Sequence, residues 1–192
     1  MLFKNTTASY GVISILLHWI MAILVIGLFL SGQYMVELDY YDSWYQLAPW
    51  WHKNIGFSVF VLLLIRYVWR LSNVIPEFLI NHRGINQWQV LIAKIVHNLF
   101  YLLLLIICIS GYFISTAKGA GIDIFAWFEL PSFIMLTETQ ADLVAKTHAI
   151  AAQLLIFLVA LHSLAALKHH FINKDTTLIR MLKINQSKEK QQ

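Results

Sequence analysis

Long apolar runs dominate the pattern of this chain, and four of them are long enough to form helices that cross a lipid bilayer. A membrane-spanning helix needs about 20 predominantly apolar residues. Runs of this kind predict spans at about 12–31, 52–71, 90–114 and 143–167. The pattern therefore predicts an all-α protein, an integral membrane four-helix bundle within residues 1–184, followed by a polar C-terminal tail at 185–192.

The segments between the runs predict how the helices are connected. Residues 32–51 predict an outer loop, and its Tyr and Trp residues are typical of the membrane interface. Residues 72–87 hold turn residues and Arg83, which predicts a short basic connection. The stretch 122–134 is apolar but interrupted by acids and Pro131. We therefore expect it to be a re-entrant or surface segment over the outer mouth of the bundle, not a fifth span.

Charge changes this picture by giving the bundle an orientation. Only 12% of the residues are charged, against roughly 25% in soluble domains. If the N-terminus is cytoplasmic, 11 Lys and Arg residues fall on the inner side and three, Lys53, Lys118 and Lys146, fall outside. The positive-inside rule then places both termini in the cytoplasm. Basic residues sorted by loop in this way do not form the patch expected of a nucleic-acid-binding protein.

Cysteine content and the first apolar run exclude other classes of protein. Cys108 is the sole cysteine and lies within an apolar run, so it predicts a packing residue and no internal disulfide. The chain has no C-x-x-C-H sequence, which excludes covalent c-type haem. The first run follows Lys4 but is too long for a signal peptide, and we expect it to be retained as a span.

Histidines supply the candidate chemistry. Five of the eight lie in or at the edge of predicted spans: His18, His52, His97, His148 and His162. His148 and His162 are 14 residues apart, which on a helix means about 21 Å in depth and about 40° around the axis. One helix therefore offers two ligands on one face, near opposite membrane surfaces. Depth pairs His52 with His148 and His18 with His162, and each pair predicts the axial ligands of one haem iron.

Alternatives to this pairing remain open. His97 lies at a similar depth on the third helix and is a second candidate partner for His162. Each histidine taken alone is compatible with a hydrogen-bonded core residue or a proton relay. Copper or zinc sites need three or four ligands at one depth. The predicted depths sort these histidines into pairs, which favours six-coordinate haem iron.

Other residues are candidates for contacts around such cofactors. Arg66 and Arg70 lie one helical turn apart and are candidates to bind haem propionates, although snorkelling to the inner surface explains them equally well. His169 and His97 are candidates for binding a quinone headgroup, and an ordinary interfacial role is the alternative for His169. Lys53 and Lys118 are candidates for steering an anion such as superoxide towards the outer side.

These residues lie in segments that resemble the bacterial cytochrome b561 family. The similar segments are SILLHW (14–19), HKNIGFSVFVLLLIRYVWR (52–70), HNLFYLLLLIICISGY (97–112) and KTHAIAAQLLIFLVALHSLAALKHHFINKDTTLIRML (146–182). The last is the most specific, because it combines the 14-residue histidine spacing with an H-H-F-x-x-K-D-x-T-L-x-R-M sequence. The resemblance implies a bundle that holds two haems b, with His18 and His162 on the inner iron and His52 and His148 on the outer one.

The resemblance also implies a function. Within the family the chain is similar to superoxide oxidases, which implies that superoxide gives up electrons at the periplasmic side of the bacterial inner membrane and that ubiquinone accepts them within the lipid. A non-catalytic cytochrome b subunit is the first alternative, because the seven acidic residues predicted outside could dock a periplasmic redox partner. A haem-free transporter or proton channel, with the histidines as relays, is the second.

Overall fold

A computed structural model of the chain describes residues 3–7, 9–76 and 87–182. The predictions for the turn residues at 77–86 and for the polar tail at 185–192 lie outside the described residues. Four long helices are present, α1 (Val12–Val36), α2 (Leu47–Ser72), α3 (Gln87–Thr116) and α4 (Glu138–Phe171), with a short α5 (Ile179–Leu182) and two strands, β1 (Ile122–Ile124) and β2 (Phe128–Leu130). The four long helices are apolar enough to cross a membrane. The predicted class, an all-α membrane bundle, is confirmed.

The helices extend past the predicted apolar spans. α1 continues to Val36 and α2 already begins at Leu47. Residues 32–36 and 47–51 are therefore helical, and the prediction that all of 32–51 is loop was wrong. A helix of 25 residues is about 38 Å long, whereas the apolar core of a bilayer is about 30 Å thick. The extra turns interrupt the apolar runs with Gln33, Tyr34, Pro49, Trp50 and Trp51, which is why hydropathy alone ended the spans too early.

We call the end of the bundle where α1 begins and α4 ends the inner end, and the opposite end the outer end. α4 starts at the outer end with a capping box, in which the Thr137 hydroxyl accepts from the Gln140 amide at 3.3 Å. The Gln140 side chain in turn accepts from the Thr137 amide at 3.0 Å. These bonds satisfy two backbone donors that the helix itself leaves unpaired. They fix where the longest helix begins.

Helix packing leaves α4 apart from half of the bundle. α1 packs on α2, α2 on α3, and α3 on α4, whereas α4 hardly touches α1. The tightest apolar cluster joins α3 to α4 through Leu103, Ala151 and Leu155. The face of α4 that looks towards α1 and α2 is therefore the one left to bind something other than side chains.

A short hairpin covers the outer end. β1 and β2 pair antiparallel, with Ile124 opposite Phe128. The turn places Phe125 at φ 49° and Ala126 at φ 59°, the left-handed region that glycine and asparagine normally occupy in such turns. Two contacts hold it there: Ile124 is only 2% exposed, and the Phe125 amide donates to Asn54 Oδ1 of α2 at 2.6 Å. The predicted surface segment is thus a hairpin anchored on α2.

Asn54 is the residue on which this anchor depends. Its side chain is completely buried, and its amide nitrogen donates to the Trp50 carbonyl at 2.8 Å. We expect Asn54→Leu to lower the free energy of unfolding by about 1–3 kcal/mol, because the partly buried Phe125 amide loses its acceptor while the side chain keeps the same branching of heavy atoms. Thermal unfolding in detergent checks this, and protease cleavage at the hairpin should become faster.

Ser58 provides the matched control for Asn54. It lies one turn further along α2 and its hydroxyl donates only to the Asn54 carbonyl in its own helix, at 3.0 Å. Ser58→Ala should therefore change the melting temperature little. Ala126→Gly should stabilise the protein by up to about 1 kcal/mol, since glycine adopts positive φ without steric cost. Equal melting temperatures for Asn54→Leu and the unsubstituted protein would contradict the anchoring role.

Candidate haem-binding site

The structure brings the predicted histidines together in two pairs. His52 of α2 and His148 of α4 form the outer pair, with ring centres 6.4 Å apart and an angle of 64° between the rings. His18 of α1 and His162 of α4 form the inner pair, at 6.4 Å and 66°. The two pairs have the same geometry although they involve different helices. In both, one partner lies on the face of α4 that α1 and α2 leave uncovered.

Hydroxyl groups orient both imidazoles of the outer pair. Ser31 donates its hydroxyl proton to the Leu28 carbonyl at 3.0 Å, and its oxygen lies 2.9 Å from His52 Nδ1. His148 Nδ1 lies 3.1 Å from the Ser110 hydroxyl and 3.0 Å from the Ile107 carbonyl. A carbonyl only accepts, and the Ser31 proton is already committed, so each Nδ1 carries the proton. Each Nε2 therefore keeps its lone pair for a metal ion.

The outer pair lies in a large cavity. The cavity has a volume of about 870 Å³ and is lined by all four long helices and the hairpin, with His52 and His148 both in its wall. Ligand pockets commonly have volumes of about 300–1,000 Å³. A Cβ added to Gly56, which also lines the cavity, would meet no atom within 4 Å. A Cβ added to Gly32 would lie 3.3 Å from Cε1 of His52. One added to Gly111 would lie 3.2 Å from Cε1 of His148.

These glycines keep the space around the outer pair open. Any side chain at Gly32 or Gly111 would press on one of the two imidazoles and turn it, and a side chain at Gly56 would fill the cavity itself. The donor set, two imidazoles that keep an Nε2 lone pair and line one apolar cavity, suits the iron of a haem. The residues of the outer pair therefore fit a haem b.

The inner pair has a third imidazole beside it. His97 of α3 lies 5.8 Å from His162 between ring centres, and its Nδ1 contacts the Ala93 carbonyl of its own helix at 2.6 Å. Phe100 lies against His162 at 5.5 Å between ring centres. His97 is more exposed than His18 and His162. Within the described part of the chain, no three metal-binding side chains converge on one point.

Arg66 lies directly beside His18. Its Nη2 is 3.1 Å from His18 Nδ1, and a guanidinium can only donate, so this contact puts the lone pair of the imidazole on Nδ1. For His18 Nε2 to bind iron, Nδ1 must take up a proton and Arg66 must turn away. A haem propionate is the kind of acceptor to which Arg66 would turn. Arg70, one turn along α2, has its Cζ 5.3 Å from the centre of the Tyr101 ring.

The remaining predicted residues are spread over both ends of the bundle. His169 lies in the last turn of α4, with Nδ1 2.6 Å from an Asp175 oxygen. Lys53 is exposed and lines the outer cavity. Lys118 is exposed in the segment after α3 and is not among the residues that line this cavity. Of the two lysines proposed to steer an anion, the structure thus brings only Lys53 to the outer pair.

Reasoning from the sequence missed several residues near the two pairs, namely Ser31, Ser110, Asp175 and the glycines Gly32, Gly56 and Gly111. The two serines are polar residues at or within apolar spans, which is a signal that a partner lies nearby, but the sequence does not show which histidine faces them. Gly56 follows His52 by about one turn, the spacing that places two residues on one helix face. Asp175 stands in the H-H-F-x-x-K-D sequence that carries the family resemblance.

Comparisons with known proteins identify the family of this chain. The family model for prokaryotic cytochrome b561 matches residues 9–183. "Cytochrome b561 homolog 2" of Escherichia coli K12 is 44% identical over 182 residues, which cover 95% of each chain. "Probable superoxide oxidase CybB" of Yersinia pestis is 29% identical, over 91% of this chain and 96% of the relative. "Cytochrome b562" of Cereibacter sphaeroides is 28% identical, over 91% and 96%.

The family match covers the membrane bundle and all the histidines discussed above. A relative with 44% identity over almost its full length extends the similarity beyond the histidines to the whole bundle. Membership implies haem b as cofactor and interaction with quinones in a bacterial membrane. The chain therefore belongs to the prokaryotic cytochrome b561 family and is a membrane electron carrier.

Proposed function

We propose that this chain is a superoxide:ubiquinone oxidoreductase of the bacterial inner membrane, with two haems b held by the outer and inner histidine pairs. In the overall reaction two superoxide anions become two O₂, and ubiquinone takes up their two electrons and two protons to form ubiquinol. Bound haem b supplies the one-electron chemistry at its iron. The chain itself supplies ligands, an apolar enclosure and charged groups at the two ends.

The separation of the paired imidazoles is the observation that carries this proposal. An imidazole nitrogen lies about 2.0–2.1 Å from a bound first-row metal such as zinc, and the ring centre lies about 1.1 Å behind it. Two imidazoles on opposite sides of one ion thus have ring centres roughly 6.3 Å apart. Both pairs are separated by 6.4 Å. Histidines that served as packing residues or proton relays would have no reason to share this one distance.

The outer end has features that suit a small anion. Lys53 follows the ligand His52 directly and lines the same cavity, so its ammonium group raises the local concentration of superoxide near the outer pair. Superoxide needs neither a nucleophile nor a general acid to give up an electron. Similarity to the probable superoxide oxidase of Yersinia pestis supports this choice of donor.

The inner end has features that suit a quinone. His169 lies seven residues beyond His162 on α4, which on a helix is about 10.5 Å and a rotation within about 20° of two full turns. His169 thus shares the face of the inner ligand and lies nearer the membrane surface. A quinone there would find a hydrogen-bond donor within the lipid boundary. Arg66 and Arg70 would bind the propionates of the inner haem, and His97 is the second candidate for the quinone contact.

Adding superoxide to the purified, oxidised protein tests this function. We expect the reduced b-type absorption bands to appear within the mixing time and, when a ubiquinone analogue is present, quinol to form at one molecule for every two superoxide anions. Superoxide dismutase added beforehand should abolish both signals. Haems that stay oxidised under superoxide would overturn the proposed donor, and an absorption spectrum without b-type bands would overturn the cofactor.

A non-catalytic electron-transfer subunit is the second candidate, and the outer surface favours it. Glu37, Asp39 and Asp42 are exposed near Tyr41, which is 95% exposed. Acidic and aromatic side chains together are the composition of a surface for a basic redox partner. If superoxide leaves the haems oxidised while a reduced periplasmic protein reduces them, this candidate replaces the first.

A further inference from the structure

The inner end of α4 carries a histidine–carboxylate pair that electron transfer alone does not need. His169 Nδ1 lies 2.6 Å from Asp175 Oδ2. Each side chain is about a quarter or less exposed, 25% for His169 and 21% for Asp175. Asn173 Nδ2 also lies near the same imidazole nitrogen, at 3.2 Å. The carboxylate contact is the shorter one and sets the position of the ring.

The backbone is bent to bring Asp175 back to His169. α4 ends at Phe171, and Lys174 then adopts φ 52°, the left-handed conformation that ends many helices. The Asp175 amide donates to the His169 carbonyl at 3.1 Å. The second carboxylate oxygen of Asp175, Oδ1, accepts from the Thr177 amide at 2.9 Å. Both carboxylate oxygens are thus engaged, which holds Asp175 in one orientation against the imidazole.

Asp175 is ionised at neutral pH. Burial acts against its charge, but hydrogen bonds from Thr177 and His169 outweigh burial and lower the pKa of the carboxyl group. An ionised carboxylate only accepts, so the Nδ1 of His169 carries a proton and its Nε2 points away from Asp175. Nε2 is then the atom that exchanges a proton with another molecule.

Charged and titratable groups of other elements also face this pair. Arg180 of α5 is close enough to Asp175 and to Tyr10 for both groups to stabilise its positive charge. Tyr10 precedes α1, and burial raises the pKa of its hydroxyl while Arg180, Arg70 and Arg66 act to lower it. Trp19 of α1 donates to the Met181 carbonyl at 2.7 Å, which ties α5 to α1. Lys168, His170 and Lys174 flank the pair along the chain.

We propose that His169 donates protons to the reduced quinone and that Asp175 is the positioning residue that holds His169 in the donating orientation. This inference rests on the proposed reduction of quinone at the inner end. In the step, the Nε2–H bond of the protonated imidazole breaks and an O–H bond forms on a quinone oxygen, while the two electrons come from two superoxide anions. Neutral His169 keeps the proton on Nδ1, where it is hydrogen-bonded to Asp175. Its Nε2 then regains a proton from cytoplasmic water. Two such transfers complete the quinol.

Asp175→Asn tests the inference without removing the hydrogen-bond acceptor altogether. The amide of asparagine can accept from Nδ1 or donate to it, so it no longer fixes the His169 proton on Nδ1 as the carboxylate does. A misplaced proton leaves Nε2 without the hydrogen that general-acid catalysis transfers, and we therefore expect quinol formation to fall about tenfold or more.

Two further measurements separate this inference from the proposed function. Reduction of the haems by superoxide without quinone should be as fast in Asp175→Asn as in the unsubstituted protein, because the pair lies at the other end of the bundle. In ¹⁵N spectra of histidine-labelled holoprotein, Asp175→Ala should shift neutral His169 from the Nδ1–H form towards the Nε2–H form. If superoxide fails to reduce the haems of the unsubstituted protein, the proposed function fails; the tautomer result still tests the pair.

Matched variants guard against a merely structural effect. His170 is the next residue on α4 and points about 100° away from His169, and its Nδ1 has no hydrogen-bond partner among the described residues. His170→Ala should leave quinol formation unchanged, and Asp175→Glu should restore most of the rate. An Asp175→Asn protein that forms quinol as fast as the unsubstituted protein would overturn the proposal. So would equal losses in His170→Ala and His169→Gln.

Discussion

Replacing His52 or His148 with alanine is expected to remove one of the two proposed haems and leave the other in place. Each substitution takes away one of the two residues that would bind the outer iron, and the apolar cavity of about 870 Å³ offers the cofactor few polar contacts in return. The inner pair lies about 21 Å away along α4 and shares neither ligand. Haem extracted per chain should therefore fall by half, and the absorption spectrum should lose one set of b-type bands.

Ser31→Ala is the matched control for this experiment. It removes the acceptor of the His52 Nδ1 proton, at 2.9 Å, and leaves the ligand itself. Mutating a residue that hydrogen-bonds to a metal-binding histidine typically lowers metal affinity or activity by about 10–100-fold. We expect the protein to retain two haems, with a changed redox potential for the outer one. Loss of both haems in His148→Ala, with a folded protein by circular dichroism, would contradict the independence of the two pairs.

Replacing His18 with alanine is expected to remove the inner haem, whereas replacing His97 should leave both haems bound. The ring centres of His18 and His162 are 6.4 Å apart, close to the roughly 6.3 Å that two imidazoles on one metal ion require. Those of His97 and His162 are closer, at 5.8 Å, which is shorter than this separation. Haem content and low-temperature spectra of the two variants check this.

Arg66 gives the inner pair a further test. Its guanidinium lies beside His18 Nδ1, so Arg66→Met should leave the His18 ring free to turn while removing a propionate partner. We expect the inner haem to bind more weakly in Arg66→Met, and to a smaller extent in Arg70→Met, because the Arg70 guanidinium lies over Tyr101 and not beside His18. A haem lost from His97→Ala and kept in His18→Ala would make His97 the partner of His162.

The histidine pairs could be predicted largely from depth, which left only His97 open as a second partner for His162. A fixed rise per residue converts the 14-residue interval between His148 and His162 into two heights, and apolar runs fix the ends of every helix to within a few residues. The structure then places His52 beside His148 and His18 beside His162 at one common distance. Long helices in a membrane leave little other freedom.

Contacts that depend on rotation and on loops could not be predicted. Which histidine faces Ser31 or Ser110 depends on how each helix is turned about its axis, and the apolar pattern of a helix surrounded by lipid does not encode that angle. The hairpin at 122–130 has its turn at Phe125 and Ala126 rather than at glycine or asparagine, so no turn signal marks it. Asp175 reaches His169 only because Lys174 reverses the chain.

The slight contact between α1 and α4 has a consequence for how the protein matures. Helices of a bundle usually close on one another through interlocking side chains, but here the seam between α1 and α4 has few of them. Porphyrin would then fill the space between α1 and α4. Its insertion would be the last step of assembly, after the helices have entered the lipid. We expect cells starved of iron or of porphyrin precursors to degrade the newly made chain instead of accumulating it.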